Sequence, residues 1–452
     1  MLLDFADITL TNKGELYHTI YNYIKFAVKT NAIKKGEKLP SVREASAQLG
    51  VSRTTIENAY TKLCIEGIVE SLPQKGYFIV GIPQKTSNTN ITAEKPTLEI
   101  LYDFSSRRVD EKASDTILWK KLVRSVLWDS GELISYGNAQ GEEGLRKALA
   151  DYSYKARGII THSDNIIIGA GIGPLLNILC GLLGRNITIG MENGGFAEAE
   201  HILKDYGIKT LKLPSDKDGA LPESLEEDIP DTLFLLPSAL SKISPASLSK
   251  RRNFFSQWVQ EKGNRLIIED DYNGELRYTA RSIPAFQQKS PQKTIYIGSF
   301  SKLLLPSVRI AYMVLPNFLT QKFKELAPYY NQTCGKIEQL ALEKYIVTGA
   351  LEKHLKKLRR LYYSKSQILY KELKENLHSF KKAVLFESSL ILELETTLDF
   401  ESENMCRKAL DRGIKLIPSS KSGTLRLCFA GIPEKDIPDS IKLLNKILEN
   451  CN

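Results

Sequence analysis

The chain has 452 residues, of which 42% are hydrophobic and 25% charged, and its formal net charge is +9. This is the make-up of a globular protein of two or three domains with ample core. No apolar run approaches the roughly 18 residues of a membrane span, which excludes a membrane-embedded class.

The opening MLLDFADITLTNK carries acids and no basic stretch before an apolar core, unlike a secretory signal. Residues 1–80 hold ten Lys/Arg against eight Asp/Glu, so charge alone does not mark a DNA-binding segment there. From Tyr17 to Thr30 the residues Ile20, Ile24 and Val28 recur every four positions, predicting an amphipathic helix. In Leu39-Pro40-Ser41-Val42-Arg43-Glu44, Ser41 and Glu44 make a capping box for a second helix that runs to about Leu49. Gly50 supplies a tight turn. Ser52 then caps a third helix with the stripe Ile56, Ala59, Tyr60 and Leu63. Helix, short Gly turn, helix is a helix-turn-helix arrangement. Its apolar stripe leaves Arg53, Thr54, Glu57 and Asn58 on the face that would read base edges. Two β-rich runs, Ile68–Ser71 and Tyr77–Val80, follow as a hairpin or wing around Leu72-Pro73-Gln74-Lys75-Gly76. Candidate DNA contacts are Ser41, Arg43, Ser52, Arg53, Thr54, Thr55 and Asn58, with Lys75 and Gly76 on the wing. The pieces LPSVREASAQLGVSRTTIENAYTKLCIEGIVES and QKGYFIV resemble the GntR class of winged-helix DNA-binding domains.

Residues 81–100 are polar and proline-punctuated, and they read as a linker. Residues 101–452 then alternate helical patterns with the short apolar runs NIIIGA, NITIGM, TLFLLP, RLIIED and TIYIGS. That alternation predicts an α/β fold with a mostly parallel sheet and helices on both faces. Beyond about Asn331 the chain is helix-rich, and a smaller α/β segment with strands SLILELE and TLRLCFA closes it. The basic stretch His354 to Lys365 alternates with leucines and reads as the solvated face of a helix. Six cysteines are scattered without a C-x-x-C pair, as expected of free thiols in a reducing cytoplasm. The five histidines have no metal-ligand spacing, so no metal is expected.

The chemistry centres on Thr294 to Pro316, TIYIGSFSKLLLPSVRIAYMVLP. A strand ends in Ser299-Phe300-Ser301-Lys302, and Arg309 follows seven residues after the lysine. Such a lysine suits a Schiff base to a phosphorylated aldehyde, with the hydroxyls and guanidinium on the phosphate. An isolated S-x-S-K is common on surface turns, so the rest of the chain decides. Upstream, the strand Arg265–Glu269 ends in Asp270, Asp271 and Tyr272. Asp270 could keep a pyridine nitrogen protonated, and Tyr272 could reach the ring's phenolic oxygen. NIIIGAGIGPLLNILCGLL joins a strand to a helix through Gly169, Gly171 and Gly173, where backbone amides suit a phosphate. Arg426, in TLRLCF, could clamp a carboxylate or make a structural ion pair.

The order YGNAQGEEGLRKALADYSYKARGI, GAGIG, EDDY, GSFSK…PSVR and LRLCFA resembles a fold-type-I aminotransferase. Joined to the winged helix, it resembles the MocR/GabR family of pyridoxal-phosphate-dependent transcriptional regulators. The resemblance implies pyridoxal 5'-phosphate bound at Lys302, with Asp270 and Tyr272 facing its ring. It puts Ser299, Ser301 and Arg309 on the phosphate beside Gly171, Ile172 and Gly173, and an effector carboxylate on Arg426. It also implies a domain-swapped, head-to-tail homodimer on a double-stranded DNA operator. Two segments depart from the family pattern. The usual P-S-H-Q-x-P-T-G is Pro237-Ser238-Ala239-Leu240-Ser241-Lys242-Ile243-Ser244, and the usual E-D-P-G-Y is Glu192-Asn193-Gly194-Gly195-Phe196. Phe196 keeps an aromatic face for ring stacking and lacks the hydroxyl. The expected function is a cytoplasmic regulator sensing an amino compound or the cofactor itself. An active aminotransferase with an accessory DNA domain, and a regulator whose cofactor site has decayed, are the alternatives.

Overall fold

The computed structural model describes residues 16–81, 99–105, 108–128, 130–192, 197–216, 219–225, 229–237, 245–271, 274–278, 284–386 and 389–450. Most of the predicted linker, Phe196, Tyr272 and the divergent residues 238–244 lie outside them. The chain divides into two compact units, Met1–Thr97 and Leu98–Asn452.

In the first unit, α1 (Leu16–Lys29) buries Ile20, Tyr21, Ile24, Ala27 and Val28. α2 (Val42–Leu49) starts at the predicted capping box, with Glu44 N donating to Ser41 Oγ at 3.2 Å and Ser41 N to the Glu44 carboxylate at 2.9 Å. Gly50 ends it in the left-handed conformation, φ 63°, where a side chain would be strained. Ser52 caps α3 (Arg53–Ile65), whose Ile56, Ala59, Tyr60 and Leu63 are fully buried. The Tyr60 hydroxyl donates to the Pro40 carbonyl at 3.0 Å and so ties α3 to the start of α2. β1 (Val69–Leu72) and β2 (Gly76–Ile79) form an antiparallel hairpin from Val69↔Ile79 to Leu72↔Gly76, one residue off the expected bounds.

The second unit is built on a seven-stranded sheet. Its helix α4 (Glu143–Arg157) precedes β3 (Ile166–Gly169), α5 (Ile172–Leu183), β4 (Thr188–Glu192) and β5 (Lys209–Leu213). β6 (Thr232–Leu235), β7 (Leu266–Asp271), β8 (Thr294–Ser299) and β9 (Ala311–Val314) complete the sheet. The strand order is β3-β9-β8-β7-β6-β4-β5, parallel except for β9, which runs antiparallel to both of its neighbours. Ile, Val and Leu runs without alternation suit strands covered on both faces. Ile167, Ile268, Ile295 and Ile297 pack with Leu175 and Leu179 of α5 on one face. On the other, Ile166, Ile168 and Tyr296 pack with Leu145, Leu149 and Tyr152 of α4.

A long helix, α6 (Ala350–Asn376), leads to a smaller antiparallel sheet. Its strands are β10 (Phe380–Phe386), β11 (Ile391–Thr396), β12 (Ile417–Pro418) and β13 (Thr424–Cys428), in the order β10-β11-β13-β12. The sequence reading named β11 and β13 but neither edge strand. On α6, Lys356, Lys357 and Arg360 are exposed as expected, but Lys365 is buried against Asp110 at 2.8 Å. Among the described residues no helix is long and apolar enough to cross a membrane.

α4 is fastened to β7 by Arg157, whose Nε lies 2.5 Å from Asp271 Oδ2, with both side chains buried. The Tyr296 hydroxyl donates to the same oxygen at 2.8 Å. Removing one partner leaves a buried charge without its counter-ion. Arg157→Met is therefore expected to destabilise the second unit by about 3–5 kcal/mol, read from urea denaturation of the cofactor-free protein.

Candidate cofactor site and DNA-binding surface

The sheet register brings the predicted site residues to one end. Ser299 on β8 pairs with Ala311 on β9, and Ala311 pairs with Gly169 on β3. Asp270 and Asp271 pair with Ile297 and Gly298 across the other edge of β8, at the same end of that strand. This is the carboxyl end of the parallel strands, where α/β sheets bind ligands.

On one flank the strand passes into α5 through Gly171, φ 90°, with no side-chain cap on the helix. The amides of Ile172 and Gly173 therefore stand uncapped at a twelve-residue helix's positive end. A Cβ on Gly171 would lie 2.5 Å from Arg309 Nη2, so the glycine is required for the guanidinium to approach the turn. Arg309 itself has φ 51°, a strained conformation for a non-glycine residue. It is exposed and has no ion pair among the described residues. Ser299 and Ser301 share a hydroxyl contact at 3.1 Å, and Ser301 N donates to Ser299 Oγ at 3.3 Å.

Lys302 is 3% exposed. Its Nζ donates to the Ser389 carbonyl at 3.2 Å and lies 3.6 Å from Cys428 Sγ. Asp270 is also buried, and it makes no hydrogen bond among the described residues. Burial, and next the charge of Asp271, raise its pKa from the ordinary 3.8 to about 7. Its neighbours are satisfied. Glu269, raised to about 7 mainly by burial, accepts from Phe286 N at 2.9 Å and Gln287 N at 3.1 Å. Asp271 has Arg157 and Tyr296. Glu192, at the end of β4, is used structurally: it accepts from Ala220 N and Leu236 N, both at 3.2 Å.

Arg426 sits on β13, paired across the ladder with Glu393 on β11. Arg426 Nε lies 3.9 Å from Glu393 Oε2, and the side chain is 35% exposed. Cys428, two residues on, shares its strand face and touches Lys302. The intervening Leu425 and Leu427 join Leu392 and Leu394 in the core on the opposite face. Cys428, Ser389, Glu393 and Arg157 were missed in the sequence. The period of two in TLRLC could have placed Cys428 beside Arg426. The others depend on pairings between distant segments.

In the first unit, Arg43, Arg53, Thr54, Asn58 and Lys75 are exposed, and Arg43, Arg53 and Lys75 have no ion pair among the described residues. Ser41 and Ser52 spend their hydroxyls on caps, and Ser52 Oγ also lies 2.8 Å from Thr55 Oγ1. Gly76, φ 101°, lies at the hairpin end.

Residues 16–79 match the bacterial regulatory proteins of the gntR family, and residues 106–443 match aminotransferase class I and II. The chain is 34% identical over 444 residues to the "Uncharacterized HTH-type transcriptional regulator YdeL" of Bacillus subtilis (strain 168), covering 95% of this chain and 96% of that one. The chain belongs to the MocR/GabR family of transcriptional regulators. It is also 28% identical over 353 residues, 76% of each chain, to the pyridoxine biosynthesis transcriptional regulator PdxR of Corynebacterium glutamicum. The fold of the second unit is shared with a Pyrococcus horikoshii kynurenine aminotransferase, with a TM-score of 0.68 and 22% identity over 79% of this chain and 92% of that one.

The residues of this MocR/GabR-family protein fit pyridoxal phosphate. A buried carboxylate without a partner among the described residues suits a protonated ring nitrogen, and a helix start beside an arginine that has no ion pair among them suits a phosphate. Because the folded-state pKa of Asp270 lies above the ordinary 3.8, its contribution to stability is present below that value and lost as pH rises through about 7. Asp270→Asn should therefore flatten part of the fall in stability of the cofactor-free protein between those pH values, as measured by thermal melts across pH. Profiles that superimpose for the two proteins would show that Asp270 is not held without a counter-charge.

Proposed function

We propose that this regulator holds pyridoxal phosphate at the end of its large sheet, and that an amino-group ligand, or the cofactor itself, alters its binding to a DNA operator. The observation that carries this reading is the convergence, at one end of the sheet, of a buried lysine, a buried carboxylate without a partner among the described residues, and a helix start beside Arg309. When bound, the cofactor supplies an aldehyde for a primary amine and an electron-withdrawing ring. Lys302 offers that amine. Asp270 keeps the ring nitrogen protonated, and Tyr272 and Phe196 are assigned to the ring's oxygen and face. Ser299, Ser301, Arg309 and the backbone of Gly171, Ile172 and Gly173 take the phosphate. Arg426 receives an effector carboxylate.

In this proposal residues 1–80 bind double-stranded DNA through Ser41, Arg43, Ser52, Arg53, Thr54, Thr55, Asn58, Lys75 and Gly76. Residues 81–100 link them to an effector-binding and dimerising domain, 101–452. The homodimer is domain-swapped and works in the cytoplasm. Dimerisation is supported by exposed apolar side chains near the start of the second unit: Ile117, Trp128, Ile134 and Tyr136. A ligand acts as a switch when it binds two arrangements of the domains unequally.

Two measurements on the purified protein test the reading. Lys302→Ala should abolish the visible absorbance of a protonated Schiff base at this residue. A borohydride-reducible adduct retained by this variant would assign the amine elsewhere. Arg53→Ala should weaken operator binding by about 1–3 kcal/mol and relax sequence preference, if it is bidentate to guanine; unchanged affinity in a folded variant would misplace the reading helix. Multiple-turnover transamination faster than about 1 per second, with DNA affinity indifferent to every substrate, would favour the enzyme reading.

A further inference from the structure

The carboxylate clamp carries a carboxylate of its own. Glu393 stands opposite Arg426 in the β11–β13 ladder, with Oε2 3.9 Å from Arg426 Nε. Its second oxygen, Oε1, lies 3.7 Å from Lys421 Nζ. Lys421 is in the turn that connects β12 to β13, with its side chain 74% exposed. The Glu393–Arg426 rung lies two residues along the ladder from the Ile391–Cys428 rung. Cys428 touches Lys302. Two residues of strand span roughly 7 Å, so the acid is within side-chain reach of anything bonded at the lysine.

Directly opposed side chains share a face of the sheet, so Glu393 and Arg426 point the same way as Cys428. Neither is locked into the core. Glu393 is 20% exposed and Arg426 35% exposed, and Arg426 Nε has no hydrogen-bond partner among the described residues. The pair is therefore an ion contact without a hydrogen bond, the kind that a better-placed carboxylate can displace. Charge balance favours the exchange. Before it, two cations share one carboxylate. Afterwards a ligand carboxylate neutralises Arg426 while Glu393 remains beside Lys421. A second ligand carboxylate at this position would face Glu393 with neither Arg426 nor Lys421 left to pair it.

We propose that Glu393 is a specificity-determining residue that occupies the effector's carboxylate clamp until a ligand displaces it, so that the site favours amino acids with a single carboxylate at this end. The proposal rests on Arg426 being the effector clamp and Lys302 the cofactor lysine. Glu393 competes with the ligand, and Lys421 draws the competitor away.

The test titrates full-length, cofactor-loaded protein with L-alanine and with ethylamine, its counterpart without the carboxylate, following the visible spectrum. The quantity read is the ratio of the two apparent Kd values. An exposed ion pair corresponds to at most about fivefold in binding, so Glu393→Gln should shift the ratio about threefold to fivefold toward L-alanine. Glu393→Ala should move it the same way, and Lys421→Ala should move it back toward ethylamine. DNA affinity measured with each ligand should follow the same order. If Glu393 instead orients Arg426, Glu393→Gln weakens L-alanine binding, and that result overturns the proposal. An unchanged ratio with a normal cofactor band also overturns it while leaving the cofactor reading standing. Absence of that band in the wild type overturns both.

Discussion

Three consecutive acids at the end of a buried strand set the terms for the second unit. Glu269, Asp270 and Asp271 all lie within β7, fully covered, where a carboxylate without a partner is strongly disfavoured. Each has a different surrounding. Glu269 is held by two backbone amides, and Asp271 by Arg157 and Tyr296. Asp270 faces the α5 side of the sheet, by alternation with Ile268, and has no protein donor among the described residues. A cofactor that brings a cationic ring nitrogen would relieve a penalty that none of the described residues relieves. Cofactor binding and folding stability are then two readings of one electrostatic fact.

The antiparallel strand β9 matters for the same reason. By entering between β3 and β8 it aligns the glycine turn after β3 with the serines after β8. It also starts two residues after Arg309, whose left-handed backbone turns the chain toward the strand. Gly171 and the strained Arg309, both at positive φ, meet where the proposed reading puts the phosphate. Strain of this kind persists where the surroundings over-determine it.

Much of this was legible in the sequence. The capping box at Ser41 and Glu44, the Gly50 turn and the four-residue stripes are local signals, and local signals fix local structure. The strand runs were equally plain because parallel strands covered on both faces lack alternation and are rich in Ile and Leu. What could not be read are facts of register. Ser389 approaches Lys302 across a separation of 87 residues, and Arg157 meets Asp271 across 114. Lys365 is another such case: its basic, leucine-rich surroundings describe a solvated helix face, and only tertiary packing supplies Asp110. The two readings of Arg426, clamp or ion pair, had the same origin, since Glu393 becomes its neighbour only when β11 and β13 pair.

That pairing bears on how a small ligand could move a large protein. A ligand shifts a conformational equilibrium only by the difference in its affinity for the two states. Replacing one exposed ion contact by another supplies little of that difference, about 1 kcal/mol or less. The larger share must come from contacts that join elements which can separate. Lys302 belongs to the large sheet, yet its amine rests on Ser389 and beside Cys428 at the small sheet. A ligand bonded where that amine now lies, with its carboxylate on Arg426, would span both sheets and fix their spacing. An amine without a carboxylate would make the first attachment and not the second. In the proposed reading the distinction between binding and signalling rests on the carboxylate, and Glu393 would set how readily that second attachment forms.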